Sequence, residues 1–308
     1  MYASNNTTKM KKLYIDGSNL IHRSHWVSKN AKVSSVYLFI ASIKKYATMF
    51  DSTDIYIAWD DRRDQETTNF RRLLIGKKYK GTRDKQKNYE AFKHADDAAR
   101  VASCLGIKNM YPNTLEADDI IAWLCKQKFP SEDNIVISTD QDMLQLINNN
   151  TRVYSPTKDI IIDIDNFEKH TGAPRDKYVQ FKAIMGDKSD NIDGIPGAGP
   201  KRALKILNEG VSKLLNDQHD LVQRNFKLMS LDYSLDHNPE ECKHLEEHHD
   251  QVMSECKIDM KQFENACKYY NMVNIINRMS EWKSIFNKKN ASMLSTIGDI
   301  DFLSGFDK

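Results

Sequence analysis

NIVISTDQD, residues 134–142, joins a short apolar run to a pair of aspartates. Ile135, Val136 and Ile137 follow one another without polar alternation, the pattern of a strand covered on both faces in a parallel sheet. Two further stretches read alike: KLYID at residues 12–16 and DIYIAWD at residues 54–60. Helical patterns separate them, over residues 34–50, 91–105 and 117–128. Strand and helix alternate, so the expected fold is α/β: a central, mostly parallel sheet with right-handed crossovers, flanked by helices.

Each of these strands finishes on an aspartate: Asp16, Asp60 and Asp140. Parallel strands share one carboxyl edge, where open α/β sheets place their sites, so the three acids are expected to converge. A lone strand-end aspartate is commonly a turn former; three on separate strands are harder to explain that way. LEADD at residues 115–119 adds Glu116, Asp118 and Asp119 at the start of a helical pattern. First-turn acids favour the helix dipole, which accounts for one or two of them. At about 100° per residue Glu116 and Asp119 share a face and Asp118 points elsewhere. Asp142 follows Asp140 by two residues, and MGDKSDN at residues 185–191 contributes Asp187 and Asp190. Nine carboxylates are thus candidate ligands. Gathered in one pocket they repel one another unless cations neutralise them. Carboxylates without His or Cys suit hard ions, so Mg²⁺ is expected, with Mn²⁺ able to substitute. Two such ions ~4 Å apart activate a water and stabilise the leaving oxygen of a phosphodiester.

Positive charge is concentrated elsewhere. The 308 residues carry a net charge of only +2, yet residues 62–87 alone carry +7, from ten Lys and Arg against Asp64, Glu66 and Asp84. A solvated surface segment is the plain reading of such a run. Phe70, Tyr79 and Tyr89 are interleaved with the bases, and aromatic rings among cations form a surface on which bases stack while phosphates meet the charges. Residues 192–205, IDGIPGAGPKRALK, set Gly194, Gly197 and Gly199 among prolines, ahead of a helical pattern bearing Lys201, Arg202 and Lys205. Glycines let backbone N–H groups approach a ligand, and the helix start favours an anion. No strand pattern precedes this loop and no GxxxxGK[ST] is present, so it is neither a Rossmann fingerprint nor a P-loop. It reads as a helix–helix turn or as a hairpin that grips one strand of a duplex.

LEADD, STDQD, MGDKSDN and GIPGAGPK in this order resemble the 5′-nuclease, or flap endonuclease, superfamily, above all the bacteriophage 5′–3′ exonucleases and the 5′-nuclease domain of bacterial DNA polymerase I. The resemblance runs from about Leu13 to about Leu207 and weakens beyond. It implies a helical arch over residues 62–92 and a C-terminal helical DNA-binding subdomain, a helix–three-turn–helix, whose hairpin at residues 194–201 holds duplex DNA, often with K⁺ on backbone carbonyls. It implies a first metal site at Asp16, Asp60, Glu116, Asp118 and Asp140, and a second at Asp142, Asp187 and Asp190 with Asp140 near both. Asp119 matches the second aspartate of the bacterial and phage motif. Within NFRR and KYKGTR, Lys80 and Arg83 are implied to approach the scissile phosphate and stabilise its charge, while Tyr79 stacks on a terminal base and Arg71 also meets DNA. Some stand-alone relatives have lost second-site acids; Asp187 and Asp190 are retained here.

The expected activity is therefore a metal-dependent, structure-specific 5′ nuclease of DNA replication or repair, both 5′–3′ exonuclease and 5′-flap endonuclease. Its expected substrates are nicked or branched duplexes with a 5′ end or flap, with RNA primers on DNA as a further one. A PIN-type RNase also gathers acids at strand ends but lacks the glycine hairpin and the second acid pair. A catalytically inert DNA-binding protein leaves the acids, which oppose DNA, unexplained.

The remaining features bound the surroundings. Hydrophobic residues are 40% of the chain, charged 29% and aromatic 9%, enough for a packed core. No window nears the ~18 apolar residues of a membrane span, and the N-terminal MYASNNTTKMKK has no apolar region of a secretory signal. Five cysteines without a CxxC pair fit a reducing compartment, so a cytoplasmic monomer is expected, in the host cytoplasm for a phage-encoded chain. The expected organisation is a tail at residues 1–11, a nuclease core at 12–180, a helical DNA-binding region at 181–288 and a C-terminal tail at 289–308. HNPEECKHLEEHHD, residues 237–250, matches no common zinc spacing and is expected to be a polar, exposed helix. The end, DIDFLSGFDK at residues 299–308, reads as local packing of a terminus; it is also similar to the short peptides by which replication proteins dock on a sliding clamp.

Overall fold

β1 (Lys11–Asp16) is the middle of the molecule: from Lys12 to Asp16 every residue is buried, with β2 (Ile55–Ala58) on one side and β4 (Asp133–Ile137) on the other, both parallel to it. Leu13 stands beside Ile55 and Ile135, Ile15 beside Ile57 and Ile137. The full sheet runs β3 (Lys108–Met110), β2, β1, β4, β5 (Thr151–Ser155), β6 (Ile160–Ile162), and only β6 is antiparallel to its neighbour. The computed structural model describes residues 11–31, 33–60, 69–76, 79–81 and 85–287. Arg83, much of the arch stretch, residues 1–10 and the tail from 288 onward lie outside them.

Because successive side chains of a strand point to opposite faces, β1 feeds two cores. Leu13 and Ile15 pack with Phe39, Ile40 and Ile43 of α2 (Ser35–Phe50), the helix read at residues 34–50. Ser34 starts it, its hydroxyl accepting from the Val36 N–H at 3.2 Å. Tyr14 and Val136 face the other way, onto Ile120 and Ile121 of α6 (Ala117–Trp123), Phe167 of α7 (Phe167–Thr171) and the helices α8 (Tyr178–Met185) and α9 (Pro200–Glu209). α1 (Gly17–Ala31) leaves β1 directly, and Gly17 allows it: a Cβ there would lie 2.6 Å from Ile57 Cγ2.

The structure departs from the sequence expectations in several places. The run at residues 91–105 is split into α4 (Lys85–Phe92), packed on α1, and α5 (Ala95–Ser103), which packs on both α1 and α2. The run at 117–128 is α-helical to Trp123 and continues as a π-helical turn over Leu124–Lys128. A strand does precede the glycine loop: β7 (Gly186–Asp187) and β8 (Ile192–Asp193) form a small antiparallel ladder directly before it.

α9 and α10 (Asn216–Met229) pack around α8, and α11 (Leu231–Asp236) packs on α6. α12 (Pro239–Glu255) is amphipathic, not wholly exposed: His249 is buried and its ring stacks on Tyr56 at 5.9 Å. α13 (Met260–Tyr269), α14 (Val273–Asn277) and α15 (Met279–Phe286) return to the sheet, where Phe263, Trp282 and Phe286 join the core of Leu13 and Phe39. The Asp259 N–H donating to the Cys104 carbonyl at 2.8 Å pins that return. Among the described residues no helix is long and apolar enough to cross a membrane.

Candidate metal centre

The carboxyl edge of β1, β2 and β4 opens into a cavity of about 370 Å³, lined by Asp16, Asp60, Glu116, Asp118, Asp140 and Lys80 among others. Asp16 is held by the Asn19 N–H at 2.8 Å and the Ser138 hydroxyl at 3.1 Å. Asp60, two residues past β2, accepts from the Ala117 N–H at 2.9 Å, so the start of α6 is tied to the second strand. Asp140 caps the 3₁₀ turn Gln141–Leu146 through the Asp142 N–H at 2.8 Å. Strand ends, and the turns just after them, therefore deliver all three acids to one opening.

Glu116 is the N-cap of α6 with extended backbone, φ −116° and ψ 170°, so the helical angle between it and Asp119 does not apply. That is why the face assignment reverses: Glu116 and Asp118 line the cavity, while Asp119 turns inward. Asp119 is fully buried, and Arg71 grips it with two hydrogen bonds of 2.7 and 2.8 Å. It also accepts from the Glu116 N–H at 3.0 Å, closing a capping box. The oxygens of Glu116, Asp118 and Asp119 lie within 4.8 Å of one another, but those of Asp119 are already spent on Arg71. Asp119 is thus a structural anion here, and Arg71, 2% exposed on α3 (Phe70–Ile75), is its counter-ion and not a DNA-facing base.

Tyr79 also departs from expectation. It is 2% exposed, and its hydroxyl donates to Glu116 at 2.8 Å instead of presenting the ring to a base. Lys80, in the left-handed region at φ 53°, places its ammonium 2.7 Å from Glu116 and donates its N–H to the Asp190 carbonyl at 3.0 Å. The foot of the basic stretch is thereby docked on the acidic site.

Asp142 and Asp187 lie beside the cavity, bridged by Lys182, which contacts Asp142 and lies 3.2 Å from Asp187. Asp187 further accepts from the Ser189 hydroxyl at 2.6 Å and from the Asp190 N–H at 3.4 Å. Sequence reasoning missed Lys182, although a lysine inside the apolar run QFKAIM is a visible anomaly. It also missed Ser18, Asn19, His22 and Phe92 on the cavity wall.

Proton affinities follow this arrangement. Burial, then the charges of Asp60 and Asp140, push the Asp16 carboxyl up to about 7. Burial and Asp119 push Asp118 up as well. Burial acts the same way on Glu116 but is outweighed by Lys80 and Arg71, which hold it at about 2. Burial raises Asp142 to about 6, with Lys182 pulling against it. Buried carboxylates that take up protons near neutrality, facing a polar opening without His or Cys, are a donor set that hard divalent ions fit.

At the glycine loop the need for glycine is partly internal. A Cβ on Gly194 would lie 2.1 Å from the Met185 carbonyl oxygen, so that glycine serves the packing of the β7–β8 ladder. Gly197 has φ +72°, and Arg202 donates to the Pro196 carbonyl at 2.8 Å, lashing the turn to α9. Gly199 faces open space and precedes Pro200 at the first position of α9, with Lys201 and Arg202 exposed beside it.

Comparison with known proteins bears on this geometry. The family described as 5′-3′ exonuclease, N-terminal resolvase-like domain, matches residues 11–172, and 5′-3′ exonuclease, C-terminal SAM fold, matches residues 173–271. A 5′-3′ exonuclease of Mycoplasmopsis pulmonis is 37% identical over 208 residues, covering 64% of this chain and 66% of that one. The flap endonuclease Xni of Shewanella denitrificans is 30% identical over 201 residues, covering 64% of this chain and 77% of that one. The crystal structure of the T5 D15 protein co-crystallised with metal ions superposes with a TM-score of 0.68 at 23% identity, over 80% of this chain and all 100% of the other, a likeness of fold. With both halves of the family pattern spanning the sheet, the acidic cavity and the glycine loop, the chain belongs to the 5′–3′ exonuclease family and is a structure-specific 5′ nuclease.

Proposed function

We propose that the chain removes nucleotides from 5′ ends of duplex DNA and cuts 5′ flaps, RNA primers on DNA included, using two divalent ions. The observation that carries the reading is the convergence of Asp16, Asp60, Glu116, Asp118 and Asp140 on one cavity that Lys80 also lines. These five residues would hold one ion, and Asp142, Asp187 and Asp190 a second, with Asp140 between; Mg²⁺ is the expected ion and Mn²⁺ a substitute. When bound, such ions lower the pKa of a water and neutralise charge on a phosphodiester. The chain's own part is positional. Ser138, Asn19 and the Ala117 N–H fix the acids' rotamers, and Lys80 contributes a cation that meets the phosphate as its charge develops. Arg83 is proposed to act with it. Gly199, Lys201 and Arg202 at the start of α9 are proposed to hold the duplex backbone, with K⁺ on nearby carbonyls.

The five free cysteines suit the reducing cytoplasm, where we place the protein as a monomer. We also propose that residues 299–308 dock on a sliding clamp; deleting them should abolish clamp stimulation and leave basal cleavage intact.

The test of the activity is a labelled 5′-flap duplex with Mg²⁺. The native chain should cleave near the junction, and Asp140→Asn should lose at least about 10³-fold in rate. Asp187→Asn should retain flap binding and lose rate. Tight flap binding by the native chain with no cleavage in Mg²⁺ or Mn²⁺ would sink the proposal.

A further inference from the structure

Neither the strand-end pattern nor the cavity lining accounts for Lys182. It sits on α8 between Phe181 and Ala183, is itself only 7% exposed, and carries its ammonium between Asp142 and Asp187. Those two acids come from unrelated elements, the 3₁₀ turn after β4 and the strand β7, so the lysine holds two pieces of chain together at the point where they supply ligands. Tyr178, one turn earlier on the same helix, donates to the Gln141 carbonyl at 3.1 Å and fixes the same turn from below.

Resting on the reading of Asp142 and Asp187 as ligands of a second divalent ion, we propose that Lys182 is the resident counter-cation of that pair and sets how strongly it takes the ion. Two carboxylates without a cation attract a divalent ion strongly; with an ammonium already between them, their net charge is halved and the ion must displace or crowd a like charge a few ångströms away. The pair therefore binds its ion weakly until further negative charge arrives. A substrate phosphate at the cavity supplies that charge, so the second ion is held more tightly once the nucleic acid is bound. Lys182 is a positioning residue in this scheme: it holds the acids' geometry in the empty site and keeps the site's hold on the ion weak.

The test is Mn²⁺ titration of the DNA-free chain by calorimetry. The native protein should show one stronger and one weaker site. Lys182→Met should tighten the weaker site at least about tenfold, and Lys182→Arg, which keeps the charge, should stay near native. An unchanged or weakened site in a Lys182→Met chain that circular dichroism shows to be folded overturns the proposal. In case that variant fails to fold, amine labelling of the native chain read by mass spectrometry decides: Mn²⁺ should raise the labelling of Lys182 as its ammonium is displaced, and an unchanged rate overturns the proposal. Asp142→Asn separates this from the reading beneath it. If it binds Mn²⁺ as the native chain does, the second acid pair is not a metal site, and both statements fall; if it loses the weaker site, the Lys182 variants judge the lysine alone.

Discussion

Arg71 and Asp119 show how much a single pair decides. Both are buried, both hydrogen bonds of the fork are short, and the Arg71 Nε donates to the Leu228 carbonyl at 3.0 Å, so α3, α6 and α10 meet at one guanidinium. Removing one partner leaves a buried charge uncompensated. Arg71→Met is expected to cost about 3–5 kcal/mol in urea unfolding, and the double variant Arg71→Met, Asp119→Leu to recover part of it. A loss below about 1 kcal/mol for the single variant contradicts this. The site acids give a pH dependence with a definite sign. Asp16 titrates near 4 in an unfolded chain and at about 7 when folded, so between those values the folded chain binds the extra proton and stability falls as pH rises. Asp142 acts in the same direction up to about 6. Glu116, held at about 2, acts oppositely, and its contribution is lost only as pH falls below the ordinary glutamate range. In chelator, the melting temperature should be lower at pH 7.5 than at pH 5.5, and Mn²⁺ should raise it more at the higher pH. Equal metal shifts at both values would refute the assignment.

Elements place these residues through their ends. β1, β2 and β4 supply acids because each stops at the same edge, and α6 supplies Glu116 because a cap residue is free of the helical phase. The β7–β8 ladder brings Asp187 beside Lys182, and it closes only because Gly186, at φ +75°, and Gly194 let two backbone segments touch. Gly194→Ala should therefore cost about 1–3 kcal/mol or more and lower cleavage by displacing Asp187. Gly199→Ala meets open space and should leave stability within about 0.5 kcal/mol while weakening duplex binding measured by fluorescence anisotropy. If Gly199→Ala binds duplex as the native chain does, the backbone at that turn does not approach DNA.

Over the whole molecule, the last helices, α13 to α15, share a hydrophobic cluster with the central strand. Trp282 packs on Phe263 at 5.2 Å and Phe286 at 5.8 Å in the same cluster as Leu13 of the central strand, and Lys44 pairs with Glu281 at 2.6 Å. Trp282→Ala is expected to cost about 3–5 kcal/mol and to lower a single cooperative transition in calorimetry. Two separated transitions would mean that this segment unfolds by itself. The overall charge of +2 likewise averages opposites, a basic stretch of +7 at residues 62–87 against an acidic cavity at whose wall its Lys80 docks. Divalent ions in that cavity would leave the DNA-facing side far more positive than the total.

Three adjacent strands of the six, the edge that gathers Asp16, Asp60 and Asp140, and the family itself were legible in the chain alone, because a doubly covered strand is a local run of Ile, Val and Tyr and because the motifs lie within a few residues each; β3, β5 and β6 were not read from the sequence. The C-terminal helices were legible as helices but not in their docking, since packing faces are chosen by surfaces far away in sequence. Only the tertiary structure decided which carboxylates face the cavity and which are answered from within. Asp119 goes to Arg71, Glu116 to Tyr79 and Lys80, and Asp142 and Asp187 to Lys182. These pairings join elements up to 48 residues apart. They are selected by the cost of leaving a buried charge alone, a quantity that exists only once the chain has folded around it.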